Sequence, residues 1–317
     1  MNGACAALPA ACGELVQGTL DGMPCLVSCP IDRYASARVE LEAPSARAPS
    51  HQSWSLPPDA PKSVAALFSG LRHLGADGSC GSLQLSSAIP RSRGYASSTA
   101  DVGATLYALA EALGCPLHVR EVAQLAVSVE PTDSTLFPGL SLFAHRDGRL
   151  WMPLGPAPPL DVIVLDPGGA IDTLAFNRVD HGDALRRLAP QHREAFHLLL
   201  DGLKRRNWWD VGEAATLSSR AHQAILPNPL LDAALNAADA VGALGVCRAH
   251  SGTVLGLLFE RRDLAPEDTM KCISRSLPPA VPVAHCRLVA GGPRSIDEKQ
   301  CRDQQPFPCL TRSRCSV

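Results

Sequence analysis

The segment Pro90-Arg91-Ser92-Arg93-Gly94-Tyr95-Ala96-Ser97-Ser98-Thr99-Ala100-Asp101 runs straight into a helical repeat, and this junction constrains the chain more than any other stretch. Val102, Leu106, Leu109 and Leu113 recur at helical spacing behind it, and Gly114 and Pro116 supply the stop. A small, hydroxyl-rich loop therefore opens onto a helix N-terminus, where first-turn N–H groups lack partners and the helix dipole favours an anion. With few bulky side chains in the way, a phosphate can approach this backbone closely. The loop is not a Walker sequence, because it has no Gly-Lys-Ser/Thr ending. A purely structural reading stands beside this one: Ser98 and Asp101 are spaced as a capping box, which would only tie off the helix start.

At 317 residues, 46% of them hydrophobic, the chain can bury one large core or two medium ones. Its net charge of −2, with basic residues scattered, argues against a nucleic-acid partner. No apolar run approaches the ~18 residues of a spanning helix, and no basic segment precedes the small apolar residues of the opening, so no membrane association is expected. The cytoplasm is the expected location. The 12 cysteines form no Cys-x-x-Cys pair and no zinc-type Cys/His spacing, so most are expected to be buried thiols. Cys286, Cys301, Cys309 and Cys315 crowd the C-terminal end, and their role is open.

Along the chain, Ala35 to Leu41 alternates as a strand with one buried face, and residues 43–62 have the composition of a loop. Val122, Leu125, Ala126 and Val129 mark a second helical face that ends at Glu130-Pro131. A proline-rich connection from Pro153 to Pro159 precedes a buried strand over 160–166, which suggests a domain division there. Residues 183–206 and 211–226 have helical composition, and Leu231, Ala234, Leu235, Ala238 and Val241 trace a further helix. Val254 to Phe259 and Ala284 to Ala290 are strand candidates, so the class is α+β. Beyond Gly291-Gly292-Pro293 the sequence lacks a period and reads as a loose tail.

Four segments in order, Gly13-Glu14-Leu15-Val16-Gln17-Gly18, the loop above, Glu130-Pro131-Thr132-Asp133-Ser134 and Ala249-His250-Ser251-Gly252-Thr253, make the chain resemble the GHMP small-molecule kinases. Within them it looks most like the L-threonine kinases of cobalamin synthesis and propanediol utilisation. The resemblance implies a two-lobed fold: a nucleotide-binding N-terminal domain over 1–155 and a helix-rich α+β C-terminal domain over 156–294; the tail over 295–317 has no counterpart in it. It also implies ATP as co-substrate, Mg²⁺, and a small amino alcohol as acceptor, with the oligomeric state left open.

By the same resemblance, ATP phosphates would lie on Pro90, Arg91, Ser92, Arg93, Gly94, Tyr95, Ala96, Ser97, Ser98, Thr99 and Ala100. Ser98 and Glu130 would hold the metal, and Asp133 would accept the proton of the attacking hydroxyl. Glu14, His250, Ser251 and Gly252 would face the substrate, Glu14 through an ammonium group. Each position also has a plainer reading. Glu130 can be a solvated charge at a helix end, Asp133 an Asx-turn residue, Glu14 a surface carboxylate and His250 a structural imidazole. The arginines can neutralise phosphate or face solvent. The first motif departs from the family, since Pro9 is followed by Ala10-Ala11 with no Arg or Lys to assist Asp133. Three activities are compatible with the pattern: threonine phosphorylation, phosphorylation of homoserine or another small amino alcohol, and a nucleotide-binding regulator without turnover.

Overall fold

In a computed structural model the described residues are 2–42, 54–169, 178–179, 181–279 and 281–297. The chain begins with two long strands, β1 (Asn2–Leu20) and β2 (Met23–Leu41), joined at Asp21-Gly22. Both turn residues have positive φ, 50° and 79°, which matches a two-residue hairpin turn to the right-handed twist of its strands. That Asp-Gly pair between apolar runs is a sequence signal for the hairpin; the alternation over 35–41 located only its second half.

After β3 (Trp54–Ser55) come α1 (Pro61–His73), β4 (Gly81–Ser87), α2 (Ser97–Ala112) and α3 (Val119–Val129). Then follow β5 (Leu140–Phe143), β6 (Trp151–Gly155) and β7 (Leu160–Leu165). The later part holds α4 (Gly182–Arg187), α5 (Ala189–Arg205), α6 (Trp208–His222) and α7 (Leu231–Ala240). It closes with β8 (Gly245–Arg248), β9 (Leu255–Glu260), α8 (Pro266–Ser276), β10 (Val283–Arg287) and β11 (Arg294–Ser295).

Among the described residues one sheet runs in the order β10-β7-β9-β8-β1-β2-β4-β3, so strands from both ends of the chain meet at β1. Ile163, Leu165, Val246, Leu255 and Leu257 pack with Leu231, Leu235 and Ile273 in one core. A larger core joins β1 and β2 to α2 and to Phe196, Leu199, Val211 and Ala215 of α5 and α6. This mixed, helix-and-sheet architecture agrees with the α+β expectation. The helical stripe behind the loop is correct but too narrow: Ala100, Ala104 and Ala108 are buried as well, because α2 is enclosed by its neighbours.

The expected capping box at Ser98 does not form. The helix begins at Ser97 with Ala96 as its cap in the left-handed region (φ 56°) and no side-chain cap bond, so the Ser98 hydroxyl lies in the first turn and reaches elsewhere. A capping box does form at α3, between His118 and Glu121. At the other end of the chain, Arg294 and Ser295 pair with Ala7 and Ala6 of β1, so the expected tail starts inside the sheet. Its remainder from 298, with Cys301, Cys309 and Cys315, lies outside the described residues. Cys12, Cys25, Cys29, Cys247 and Cys286 are buried free thiols, as expected for most of the cysteines, and Cys5 is buried as well.

Candidate active site

A cavity of about 230 Å³ opens at the N-terminus of α2. Arg91, Ser92 and Gly94 to Thr99 line one wall; Pro90, Arg93 and Ala100 do not. The loop is held by its backbone: Ala11 N donates to Tyr95 O at 2.9 Å, and Thr253 N and Val254 N both donate to Arg93 O, at 2.9 and 3.0 Å. Arg93 itself turns away, to Asp166 at 2.9 Å, and the Tyr95 hydroxyl donates to the same carboxylate at 3.2 Å. Of the two arginines only Arg91 faces the cavity, between Asp59 and Asp101.

Glu130 follows the last turn of α3 and is buried, with a side-chain exposure of 4%. It is not a solvated helix end: the Ser98 hydroxyl donates to its Oε1, and Lys62 Nζ lies 2.5 Å from its Oε2. The two oxygens proposed from sequence as metal ligands thus share one point, and a lysine ammonium already stands there. Lys62 was not foreseen, because nothing in Pro61-Lys62-Ser63 marks it as more than a helix start.

Asp133 precedes a single 3-10 turn, Ser134–Leu136, whose first residue exchanges two bonds with Ser28 of β2: Ser28 N to Ser134 Oγ at 2.9 Å and Ser134 N to Ser28 Oγ at 3.1 Å. With the turn pinned in this way, Asp133 does not cap it and the Asx-turn reading fails. Its Oδ2 instead accepts from Thr99 Oγ1 at 3.0 Å, and its N–H donates to the same hydroxyl at 3.1 Å. The carboxylate and the phosphate-type loop, more than thirty residues apart, are therefore in direct contact through α2.

Glu14 is also inside, not on the surface, at 3% exposure. Gly13, with φ +59°, breaks the β1 register and lies so close to Arg248 that a Cβ would be 2.2 Å from its carbonyl carbon. That bulge aims the next side chain into the cavity. Burial and the Asp133 charge push the Glu14 carboxyl well up. Burial raises Asp133 to about 6, with the Thr99 bond opposing the shift. Of the two, Glu14 is the one driven further toward its neutral form.

His250 and Ser251 line the inner wall, while Gly252 does not. Gly252 braces the loop, since a Cβ there would lie 2.3 Å from Arg93 O and 2.5 Å from Gly94 Cα. His250 is one of three adjacent imidazoles, with His145 and His222. The other two carry no sequence signal, because they come from β5's exit and the end of α6.

Comparison with known proteins identifies the family. The chain matches the GHMP kinases N terminal domain over residues 62–137 and the GHMP kinases C terminal domain over 199–269. An L-threonine kinase of Salmonella typhimurium is 36% identical over 264 residues, covering 82% of this chain and 84% of that protein. One of Citrobacter freundii is 36% identical over 267 residues, 81% and 87% of the two chains. Among solved structures, the homoserine kinase of Cytophaga hutchinsonii superposes with a TM-score of 0.69 at 17% identity, covering 93% of this chain and 98% of that one. The mevalonate kinase of Methanococcus jannaschii gives 0.66 at 15%, covering 90% and 98%; at such identities the likeness concerns the fold. Both family signatures, and relatives sharing more than a third of their residues across most of their length, make this chain a GHMP kinase, an ATP-dependent kinase of small molecules.

Proposed function

We propose that the protein phosphorylates the side-chain hydroxyl of L-threonine with ATP, giving O-phospho-L-threonine for the aminopropanol arm of cobalamin, in the cytoplasm. The observation that supports it most is the Thr99–Asp133 contact, which brings an ionised carboxylate to the loop expected to carry the terminal phosphate. The threonine hydroxyl gives its proton to Asp133 as its oxygen forms a bond to the γ-phosphorus, and the bond from phosphorus to the ADP oxygen breaks. First-turn amides of α2 and the small residues 94–99 orient the phosphates, and Arg91 adds charge. A bond from Glu14 lowers the Asp133 value and so opposes the effect of burial.

Ser98 and Glu130 suit Mg²⁺, which takes hard oxygen donors and often only one or two protein carboxylates. The Lys62 ammonium on Glu130 indicates that this point accepts positive charge. When bound, Mg²⁺ would neutralise charge on the phosphates. Among the described residues no group of three or more His, Cys, Asp or Glu is placed to hold a metal without phosphate oxygens. Lys62→Met should leave Glu130 buried without its cation. Mg²⁺ added without nucleotide should then raise the melting temperature of the variant more than that of the wild type; equal shifts would remove Ser98–Glu130 as the metal point.

The test of the whole reading is ADP release by purified protein supplied with ATP, Mg²⁺ and, in turn, threonine, serine, homoserine and ethanolamine. Threonine should give the highest kcat/KM. A preference for homoserine would replace the substrate, and nucleotide binding without turnover on any acceptor would favour the regulator.

We also propose the division into lobes at 155/156. Limited proteolysis between Pro153 and Pro159 is the observation that bears on it.

A further inference from the structure

The inner end of the cavity holds a group that phosphoryl transfer leaves unused. His145 meets His250 edge-to-face with ring centroids 4.8 Å apart, and His222 lies beyond at 5.2 Å from His250. Two of these rings have fixed tautomers. His222 Nε2 is 2.8 Å from the His250 carbonyl oxygen and must carry a proton to donate. Gln17 gives its amide Nε2 to Arg248 O at 3.3 Å, which leaves its Oε1 to accept from His250 Nδ1 at 2.7 Å. His145 is not fixed in this way. It is 3% exposed, it lines the cavity, and neither Nδ1 nor Nε2 has a hydrogen-bond partner.

A neutral imidazole always presents one N–H and one lone pair. Burying such groups without partners costs about 1–3 kcal/mol each, so the protein holds this ring ready for something that completes it. The backbone places it beside the reacting groups, because His145 O accepts from Thr132 N at 2.9 Å, one residue before Asp133.

The surroundings indicate the charge of that something. Burial, with the Arg146 charge adding to it, lowers His145 to about 3. Burial, His145, Arg146 and Arg248 hold His250 well below its usual value, so both rings are neutral. Arg248 is completely buried, donates to Gln223 Oε1 at 2.7 Å and Leu226 O at 2.6 Å, and has no carboxylate partner among the described residues. Its Nε makes no hydrogen bond. Arg248 does not line the cavity, but its charge reaches His250 and favours an anion at this end, while Glu14 Oε2, buried without a hydrogen-bond partner, and Asp133 supply acceptors for an ammonium. An amino acid zwitterion carries both.

We infer that His145 is a specificity-determining residue, which takes the α-carboxylate of the acceptor through its ring N–H and so selects an α-amino acid over an amino alcohol lacking that group. The inference rests on the proposed threonine reading and assigns the subsite that reading leaves open.

1-Amino-2-propanol is the deciding probe, since it keeps the hydroxyl, methyl and ammonium of threonine and lacks only the carboxylate. In the full-length protein, His145→Ala should lower kcat/KM for threonine by about 10-fold or more, chiefly through KM, as expected for a hydrogen bond to a charged group. The aminopropanol value should change by less than about twofold. His145→Gln, which restores an N–H, should recover part of the threonine preference. ATP affinity should match the wild type in both variants. Parallel losses on the two acceptors, or an unchanged threonine KM, overturn the assignment. Wild-type protein that uses another α-amino acid in place of threonine sinks the substrate reading alone, and the comparison is then made on that amino acid and its decarboxylated analogue. Turnover of aminopropanol without any α-amino acid overturns both.

Discussion

Asp133→Asn should lower kcat by about 10²–10⁴-fold, the usual worth of a positioned general base, while ATP binding changes little. The amide keeps the shape and can still bond Thr99, so the loss would report on proton acceptance and not on the loop. The pH dependence has a definite sign. Asp133 must be ionised to accept a proton and is raised to about 6, so wild-type kcat/KM should climb as pH rises through about 6 and level off above it. The residual activity of the variant should lack that limb. A limb that survives in Asp133→Asn would assign it to another group and remove Asp133 as the base.

The same raised value affects stability. A carboxyl that titrates higher when folded than when unfolded contributes stability below its unfolded value, and that contribution is lost as pH rises through the folded value. Ionised Asp133 therefore destabilises the fold at neutral pH, on the order of 3 kcal/mol. Asp133→Asn should melt higher than the wild type at pH 8 and lose that advantage near pH 4. Lower activity with higher stability separates a functional carboxylate from a structural one.

Gly252→Ala is expected to produce the second large effect, a rise in the ATP dissociation constant of about 10-fold or more with the fold retained. An added Cβ would fall 2.3 Å from Arg93 O, 2.4 Å from its carbonyl carbon and 2.5 Å from Gly94 Cα. These are backbone atoms, so no rotamer relieves the overlap and the loop itself must move. Arg93 O already accepts from Thr253 and Val254, which leaves the displacement to pass toward Gly94 to Ser98. Gly78→Ala is the control, because an added Cβ there meets nothing within 4 Å; it sits between α1 and β4 outside the cavity lining and should leave ATP affinity unchanged. Titration of a fluorescent ATP analogue against both variants is the measurement. Unchanged affinity in Gly252→Ala would show that the loop's position does not set nucleotide binding.

Much of this was legible in the linear sequence because its cause is local. Small residues ahead of the Val102–Leu109 stripe specify a loop opening onto a helix, whatever packs around it. The segments carrying Glu14, Glu130, Asp133 and His250 were identifiable as motifs, and all four side chains line one cavity. Sequence left the capping box at Ser98 open beside the phosphate reading, because Ser-x-x-Asp spacing specifies only a possible bond, and the neighbour that competes for the hydroxyl, Glu130, is brought in by α3. Arg91 and Arg93 were indistinguishable by composition. Only the position of Asp166 at the end of β7 separates the one facing the cavity from the one that braces the loop.

The sequence by itself determined the elements whose signals lie within one helix or one turn: the loop, the helices behind it, and the run from Glu130 to Ser134. Tertiary structure alone decided that Lys62 stands on Glu130, that His145 is buried without a partner beside Thr132, and that Glu14 and Asp133 shift each other's titration. Those facts arise where β1, β5, α1 and α2 converge. The electrostatic and desolvation energies that govern them depend on distance through space and on exclusion of water, quantities that separation along the chain does not encode.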